Sequence, residues 1–590
     1  MPPDQVGAGV GAFDRYVLLE RTTGFVMSHG HHDHSHHHEH EPVEGSWVDP
    51  ADDRPLSIAR RQFLAGIGVA AGAFTLGARP PAATAAGTPA AVVNPWSGSQ
   101  RWLAGDHHIH TQYSPDAQYE VATQVANARK YGLDWMVITD HGGVAHQKFS
   151  IDQVTPDIER ARQANRDILV YQGLEWNIPG AEHATVFLPP GGNTVDILRA
   201  FEAGYDGGIL STPVDKGGKG LIARATSADG ERYALEALEF LQRQVSSGRT
   251  EIALMFANHP ARRGVDSPHE LRGWRNTAPQ VAVGMEGAPG HQAAGIPNSA
   301  GGAGDARGYY DKAPDQDSFP GYNPTAAENP YRTYGGFDWM TAKVGGLWDS
   351  LLAEGKPWWI TSTSDSHQVF GDTFEPGTQD HNATGSRGTP IDTAKPQPYG
   401  DFWPGFYSAT LVGAHTRSYV DVMRALQAGK VVAVHGRLID GLDLRVRALT
   451  DGDRRGATTG GRTFVRRGTD VEVTIEATLA GGPNFHDVVP KLAKIDLIAG
   501  PVTGPAADLD ALAAPATKVV KTFEVASSAR RQVRFTHVFK GVDRPFYLRL
   551  RGSDGNRLTA DGGPVMDVLG DADPWSDLWF YANPVFVDVV

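Results

Sequence analysis

Nine potential metal ligands, His108, His110, Asp116, His141, Glu175, His183, His259, Asp365 and His367, recur along one stretch of the chain, most of them just after a short apolar run. Neutral imidazole and carboxylate together suit zinc, iron or manganese, and a carboxylate can bridge two ions. His108 and His110 stand two apart, a spacing that on a strand aims both side chains at one face. Asp365-Ser366-His367 repeats that geometry with a carboxylate and an imidazole. Each of these alone reads equally well as a satisfied core or surface polar group. The whole set, in this order and at strand ends, does not. It is the trace that a multinuclear metal centre on a barrel leaves, because loops at the C-terminal ends of barrel strands carry the chemistry. A metal-activated water would be the reagent. The chain has no cysteine, so disulfides, thiolate nucleophiles and Cys-based zinc sites are excluded.

The elements that must position these ligands alternate. Leu103 to Thr111 opens the first unit. Helical spacing over Glu120–Tyr131 precedes the β-rich run Trp135–Thr139 and then Asp140-His141. A helix-compatible stretch from Ile158 to Asn165 leads to Ile168–Tyr171 and Glu175, and Tyr233–Gln244 leads to Ile252–Phe256 and His259. Leu347–Ala353 leads to Trp358–Thr361, Asp365 and His367, and Tyr419–Gly429 to Val431–Val434. This predicts an α/β barrel or wound sheet over residues 100–440. Two segments poor in apolar residues, Gly284–Gly336 and Gly371–Tyr399, leave strand ends and could overhang the site, each as a lid, a mobile insert or disorder. Past Gly441, strands at Val471–Glu476, Lys494–Ile498, Val533–Val538 and Phe546–Leu550 predict a small all-β, sandwich-like domain over 441–590. His486 and His537 read there as surface or structural residues.

The first hundred residues read as targeting sequence. Residues 1–57 form an n-region with a His-rich tract, His29–His40, which could bind metal loosely or be a solvated tail, and Met27 could be the true start. Residues 58–86 resemble a twin-arginine signal: Arg60-Arg61-Gln62-Phe63-Leu64, the apolar run Ala65–Ala78, then Ala83-Thr84-Ala85 for cleavage. The apolar run falls short of the roughly 20 residues that span a bilayer, so no membrane span is expected in the mature chain. Export to a periplasm or the medium follows, with the twin-arginine translocase as a transient partner. A net charge of -14 argues against a stable nucleic-acid partner.

The ligand set resembles the PHP family, the polymerase and histidinol phosphatase superfamily of metal-dependent phosphoesterases, across roughly residues 103–437. The family's opening motif is similar to Asp106–Thr111, its Ile-Thr-Asp-His to Ile138–His141, and its Glu then His to Glu175 and His183. Asn258-His259-Pro260 and Ser364–His367 complete the match. Two departures stand out. His107 replaces an aliphatic residue and should point away from the metals, and Ser114-Pro115-Asp116 is one residue longer than the family's Ser-Asp.

The resemblance implies a distorted seven-stranded barrel holding two to three divalent ions (Mn, Zn or Fe). His108, His110, Glu175 and Asp365 would hold one. Glu175 would bridge to a second on His183 and His259, and Asp116, His141 and His367 would hold a third. Asp106 and Asp140 would orient imidazoles. The implied reaction is hydrolysis of a small phosphate ester or nucleotide, with Glu175 and Asp365 at its centre and Arg262 or Arg263, at most one of the two, clamping phosphate. His146 and Lys148 are weaker candidates for substrate contacts. The alternatives are another metal-dependent hydrolase, or a non-catalytic surface protein with a closed metal site.

Overall fold

Seven strands order the first part of the chain: β1 Arg101–Asp106, β2 Trp135–Ile138, β3 Leu169–Asn177, β4 His183–Leu188, β5 Leu254–Asn258, β6 Ala282–Ala288 and β7 Trp359–Ser362. The computed structural model describes residues 101–326, 330–450, 456–526 and 531–590; the His-rich tract and the twin-arginine segment lie outside them. β2 and β5 are buried along their whole length, which is why they read as unbroken apolar runs rather than alternating ones. Helices cover the sheet with one apolar stripe each. Glu231–Ser246 buries Ala234, Ala237, Leu238 and Leu241. The helix expected from Ile158 starts at Ile151 and runs through Pro156, because Ile151, Val154, Ile158 and Ala161 make one buried face.

Neighbours β1–β2, β2–β3, β5–β6 and β6–β7 are parallel, whereas β4 runs antiparallel to both β3 and β5. That reversal places His183, the first residue of β4, opposite Asn177 and Asn258, the last residues of β3 and β5. A ligand at a strand start therefore sits on the same rim as ligands at strand ends. Beyond the strands, Ile109 and Ser366 form a parallel bridge, and the His110 amide donates to the Ser366 carbonyl at 3.1 Å. This brings the loop after β7 against the loop after β1.

The segment expected to be loop from Gly284 contains most of β6, and the chain beyond that strand is packed: Ala293, Ala294, Arg307 and Tyr310 are buried. A short hairpin, β8 Phe374–Glu375 and β9 Ile391–Asp392, lies within the second such segment.

The other edge of β1 continues the sheet through β10 Ser408–Ala414 and β11 Val431–His435. The C-terminal strands are β12 Ile439–Ala448, β13 Arg462–Val465, β14 Thr469–Leu479, β15 Lys494–Pro501, β16 Lys518–Glu524, β17 Gln532–Val542, β18 Phe546–Ser553 and β19 Trp579–Val589. They form two layers. β12, β14 and β17 make a separate three-stranded sheet, while β16, β15, β18 and β19 extend the main sheet by pairing β19 with β11. Leu444, Val446, Val473 and Ile475 of one layer share an apolar cluster with Leu497, Leu548, Leu550 and Phe580 of the other. The fold is thus mixed α/β, with a parallel-strand core and a further all-β region. Asn583 of β19 bonds both the amide and the carbonyl of Ile360, and Thr410 of β10 does the same for Ser362. Side chains thereby satisfy an edge of β7 that no strand among the described residues covers. No helix among the described residues is long and apolar enough to cross a membrane.

Candidate metal centre

Glu175, buried near the end of β3, is the hub. Its Oε1 lies 3.0 Å from His108 Nε2, 3.2 Å from His183 Nδ1 and 3.3 Å from His259 Nε2. Its Oε2 lies 2.7 Å from His141 Nδ1 and 3.4 Å from His110 Nε2. Asp365, from the loop after β7, points its Oδ1 at His108 Nε2 (3.0 Å) and His110 Nε2 (3.2 Å). Asp116 completes the set at its open side, 3.2 Å from His141 Nε2 and 3.6 Å from His367 Nε2. All nine residues singled out by sequence come together on one rim.

They fall into overlapping groups of close ligand atoms: His110, Asp116, His141 and His367; His108, His110 and Asp365; His141, Glu175 and His183; Glu182, His183 and His259. The last group includes Glu182, which sequence reasoning passed over in favour of its neighbour. A further group joins Asp365 and His367 to His291.

The hydrogen bonds that aim these rings differ from the expected ones. Asp106 does not orient an imidazole. Its two oxygens accept from the amides of His108 and Ser364, both at 3.0 Å, and so fasten the end of β1 to the loop after β7. Asp140 accepts from the Thr111 amide and from Ser114 Oγ, and only Ser114 reaches His110 Nδ1, at 2.9 Å. The carboxylate that holds His108 is instead Glu286 of β6, 2.7 Å from Nδ1, whose other oxygen accepts from the His259 amide at 2.7 Å. A carboxylate on the far nitrogen of a ligating histidine fixes its tautomer and orientation. His107 points the other way, into the interior, 2.8 Å from Thr361 Oγ1 and stacked on Phe256.

Backbone strain concentrates here. His259 (φ 31°), His291 (φ 52°) and Asp365 (φ 48°) all adopt the left-handed region. Such residues cost about 1–3 kcal/mol each and persist where the surroundings over-determine them.

Electrostatics show what the cluster is suited to hold. Against the pull of burial, His141, His183 and His108 hold Glu175 well below the carboxylate range, and His108, His291 and His367 do the same for Asp365. Against burial, Asp365 and Glu175 draw protons onto His108, and Asp116 and Glu175 onto His141, whereas burial and Arg262 push His259 down to about 4. Glu175 Oε2, Asp365 Oδ1, His183 Nδ1 and His259 Nδ1 are buried atoms with no aligned hydrogen-bond partner. Converging acceptors of this kind need positive charge, and divalent cations supply it with every imidazole neutral. The donor set therefore fits metal.

Of the two arginines, Arg262 Nη1 lies 4.0 Å from Asp365 Oδ2, while Arg263 is taken up by Glu182 (3.0 Å) and Asp315. His146 is held by Glu202 at 2.8 Å, and Lys148 lies over the Phe149 ring. The site opens beside Asp116, whose side chain is 41% exposed, while His108 and His110 are sealed.

Residues 106–246 match the PHP domain model. That span holds the ligand candidates from His108 to His183; His259, Asp365 and His367 lie beyond it. No curated protein matches the chain. Among solved structures, one similar chain is a two-domain protein from Bacteroides vulgatus described as containing a predicted PHP-like metal-dependent phosphoesterase. It is 15% identical, with 79% of this chain and 94% of that one covered, at a TM-score of 0.28. A likeness that weak fixes neither fold nor activity.

Proposed function

We propose that the chain is an exported phosphoesterase that holds two to three divalent ions (Mn, Zn or Fe) on a distorted seven-stranded barrel and hydrolyses a small phosphate ester or nucleotide. The PHP domain match and the clustered His, Asp and Glu groups support a metal-dependent hydrolase. The run of strands from β1 to β7, with its ends joined at Ile109 and Ser366, supports the barrel. Export rests on the twin-arginine sequence alone.

Arg262 carries the choice of phosphate over amide or other ester. It is a guanidinium partly open to solvent and 4.0 Å from the carboxylate of a candidate ligand. Guanidinium matches phosphate oxygens bidentately, which favours a phosphate substrate. Bound divalent ions would supply Lewis acidity and a water with a near-neutral pKa. The chain's own part is positional. Glu175 spans the two halves of the cluster and would be shared between ions. His108 and His110, sealed and fixed by Glu286 and Ser114, would form its floor. Asp116, His141 and His367, at the open side, would meet the substrate face. Arg263, committed to Glu182 and Asp315, would hold the loop after β5 rather than touch substrate.

The test is metal content by mass spectrometry on the purified mature chain, alongside hydrolysis of p-nitrophenyl phosphate and its bis ester. Two to three metals per chain, with turnover lost in Asp365→Ala, is the expected result. One metal or none after purification with Mn, Fe or Zn supplied, together with no turnover, would sink the proposal and leave a binding protein.

A further inference from the structure

We infer that His291 is a further metal ligand, acting with Asp365 and His367 and delivered to the site by the segment after β6. The inference rests on the metal-centre reading above and adds a residue outside the nine-ligand set.

Three independent features point to it. First, spacing: His291 Nε2 lies 2.8 Å from Asp365 Oδ2, the oxygen turned away from His108 and His110. Ligand pairs already in the cluster show the same spacing, 3.0 Å for His108 with Asp365 and 3.2 Å for His110 with Asp365. Asp365 thus has an imidazole on each oxygen and could share its two oxygens between two ions. Second, orientation: His291 Nδ1 is held by Asp401, as His108 Nδ1 is held by Glu286. Asp401 uses its other oxygen to accept from the backbone amides of His367 and Gln368, at 2.5 and 2.8 Å. One carboxylate thereby sets the ring of His291 and the backbone of His367, and it leaves Nε2 aimed at Asp365. This is the carboxylate–histidine arrangement that accompanies ligating imidazoles.

Third, the backbone is built for close approach. A Cβ on Gly290 would lie 2.1 Å from Asp365 Cβ and 2.4 Å from the Ser364 carbonyl, so only glycine lets the chain come this near. The next residue is His291, in the left-handed region, with its amide bonded to Ser364 O. The strain and the glycine serve to deliver this ring. The segment is fixed from behind: Arg307 bonds Gln292, the residue after His291, and pairs with Asp577 at 2.8 Å, just before β19. The all-β region thus anchors the loop that brings His291 in.

Crystals of the full mature chain grown with Mn²⁺ alone would be measured at a wavelength where manganese scatters anomalously. The expected map has a manganese peak within about 2.2 Å of His291 Nε2, as metal–imidazole bonds require. In solution, Mn²⁺ affinity measured against a competing chelator should fall at least about tenfold in His291→Gln. Manganese peaks at the other groups, with His291 Nε2 bonded to Asp365 alone and affinity unchanged in His291→Gln, would overturn the inference. His291 would then be only an orienting residue. No manganese anywhere would instead remove the metal centre itself. The wild-type map needs no variant to fold, so the two failures stay distinct.

Discussion

Two buried regions of this chain gather carboxylates, and they neutralise them in opposite ways. In and around the join between the α/β core and the C-terminal strands, three buried carboxylates have permanent cations. Asp349 is gripped by Arg549 through two bonds of 2.7 and 2.8 Å, Glu354 takes Arg272 and Arg275 at 2.6 Å each, and Asp496 takes Arg551 and Lys494 at 2.9 and 3.0 Å. At the rim, Glu175 has imidazoles as its ion-pair partners among the described residues, and Asp365 has imidazoles plus Arg262 at 4.0 Å. An arginine is charged at any working pH and finishes the pair by itself. An imidazole can be charged or neutral, so a carboxylate among imidazoles can exchange protons for a metal. The first arrangement is complete in itself; the second is what a metal site would need.

The largest effect should come from taking away what the rim requires. Asp365→Ala or Glu175→Ala should cut turnover of phosphate esters by about 10³-fold or more, since loss of one preorganised charge contact alone costs about 10²–10³. The loss should track metal content. Chelation should lower the midpoint of thermal unfolding as well, because an ion present at about 10³ times its Kd contributes about 4 kcal/mol. Full activity in Asp365→Ala would erase the distinction between the two regions.

Next comes the join. Asp349→Ala leaves Arg549 buried and unpaired and should cost about 3–5 kcal/mol in denaturant unfolding, with metal content unchanged in the folded fraction. The double variant Asp349→Leu with Arg549→Met should recover most of that loss. A single-variant cost below about 1 kcal/mol would show that the pair is not what secures the join. Smaller still is Arg262→Ala. It should lower kcat/KM for phosphate esters about 10–100-fold through a lost charged contact, without releasing metal. Arg263→Ala should act on stability instead, because it leaves Glu182 buried without its guanidinium.

The sequence made one of these regions far more legible than the other. Histidines are rare enough, and their i, i+2 spacing specific enough, to mark the rim before any fold is known. The helices read from the sequence lie within a few residues of the observed ones, except where Pro156 masked the start of one, whereas Thr194–Tyr205 and Pro268–Thr277 were not read as helices at all. Glu286 and His291 were not legible because they lie in a stretch whose composition reads as loop, and Asp401, just past the second such stretch, has no ligand-like spacing to mark it. Gly284 is the instructive case. It looks like a breaker, yet a Cβ there would lie 2.2 Å from the Trp359 carbonyl, so the glycine permits β6 to pack on β7 rather than ending the strand. The reversed direction of β4 is equally invisible in its apolar pattern, since strand polarity leaves no mark on alternation. Pairings such as Arg549 with Asp349 lie 200 residues apart and carry no local signal at all.

A third way to neutralise a buried carboxyl sharpens the contrast. Glu270, in the first turn of the helix Pro268–Thr277, accepts from the amide and hydroxyl of Ser267 in a capping box. Burial pushes its pKa up to about 7, and the Ser267 hydrogen bonds only partly oppose this. Here a proton takes the place of arginine or metal. The sign comes from linkage: between about pH 4.5 and 7 the folded chain keeps a proton that the unfolded chain has released. Stability from this residue is therefore full below about pH 4.5 and declines as pH rises to about 7, by at most about 3 kcal/mol. Glu270→Gln keeps the capping geometry, since glutamine serves the same position, but removes the titration. The difference in unfolding free energy between wild type and Glu270→Gln, followed from pH 5 to 8, should grow in favour of the variant. A difference that stays flat would mean that Glu270 is ionised throughout and finds its compensating charge elsewhere, as the carboxylates of the join do.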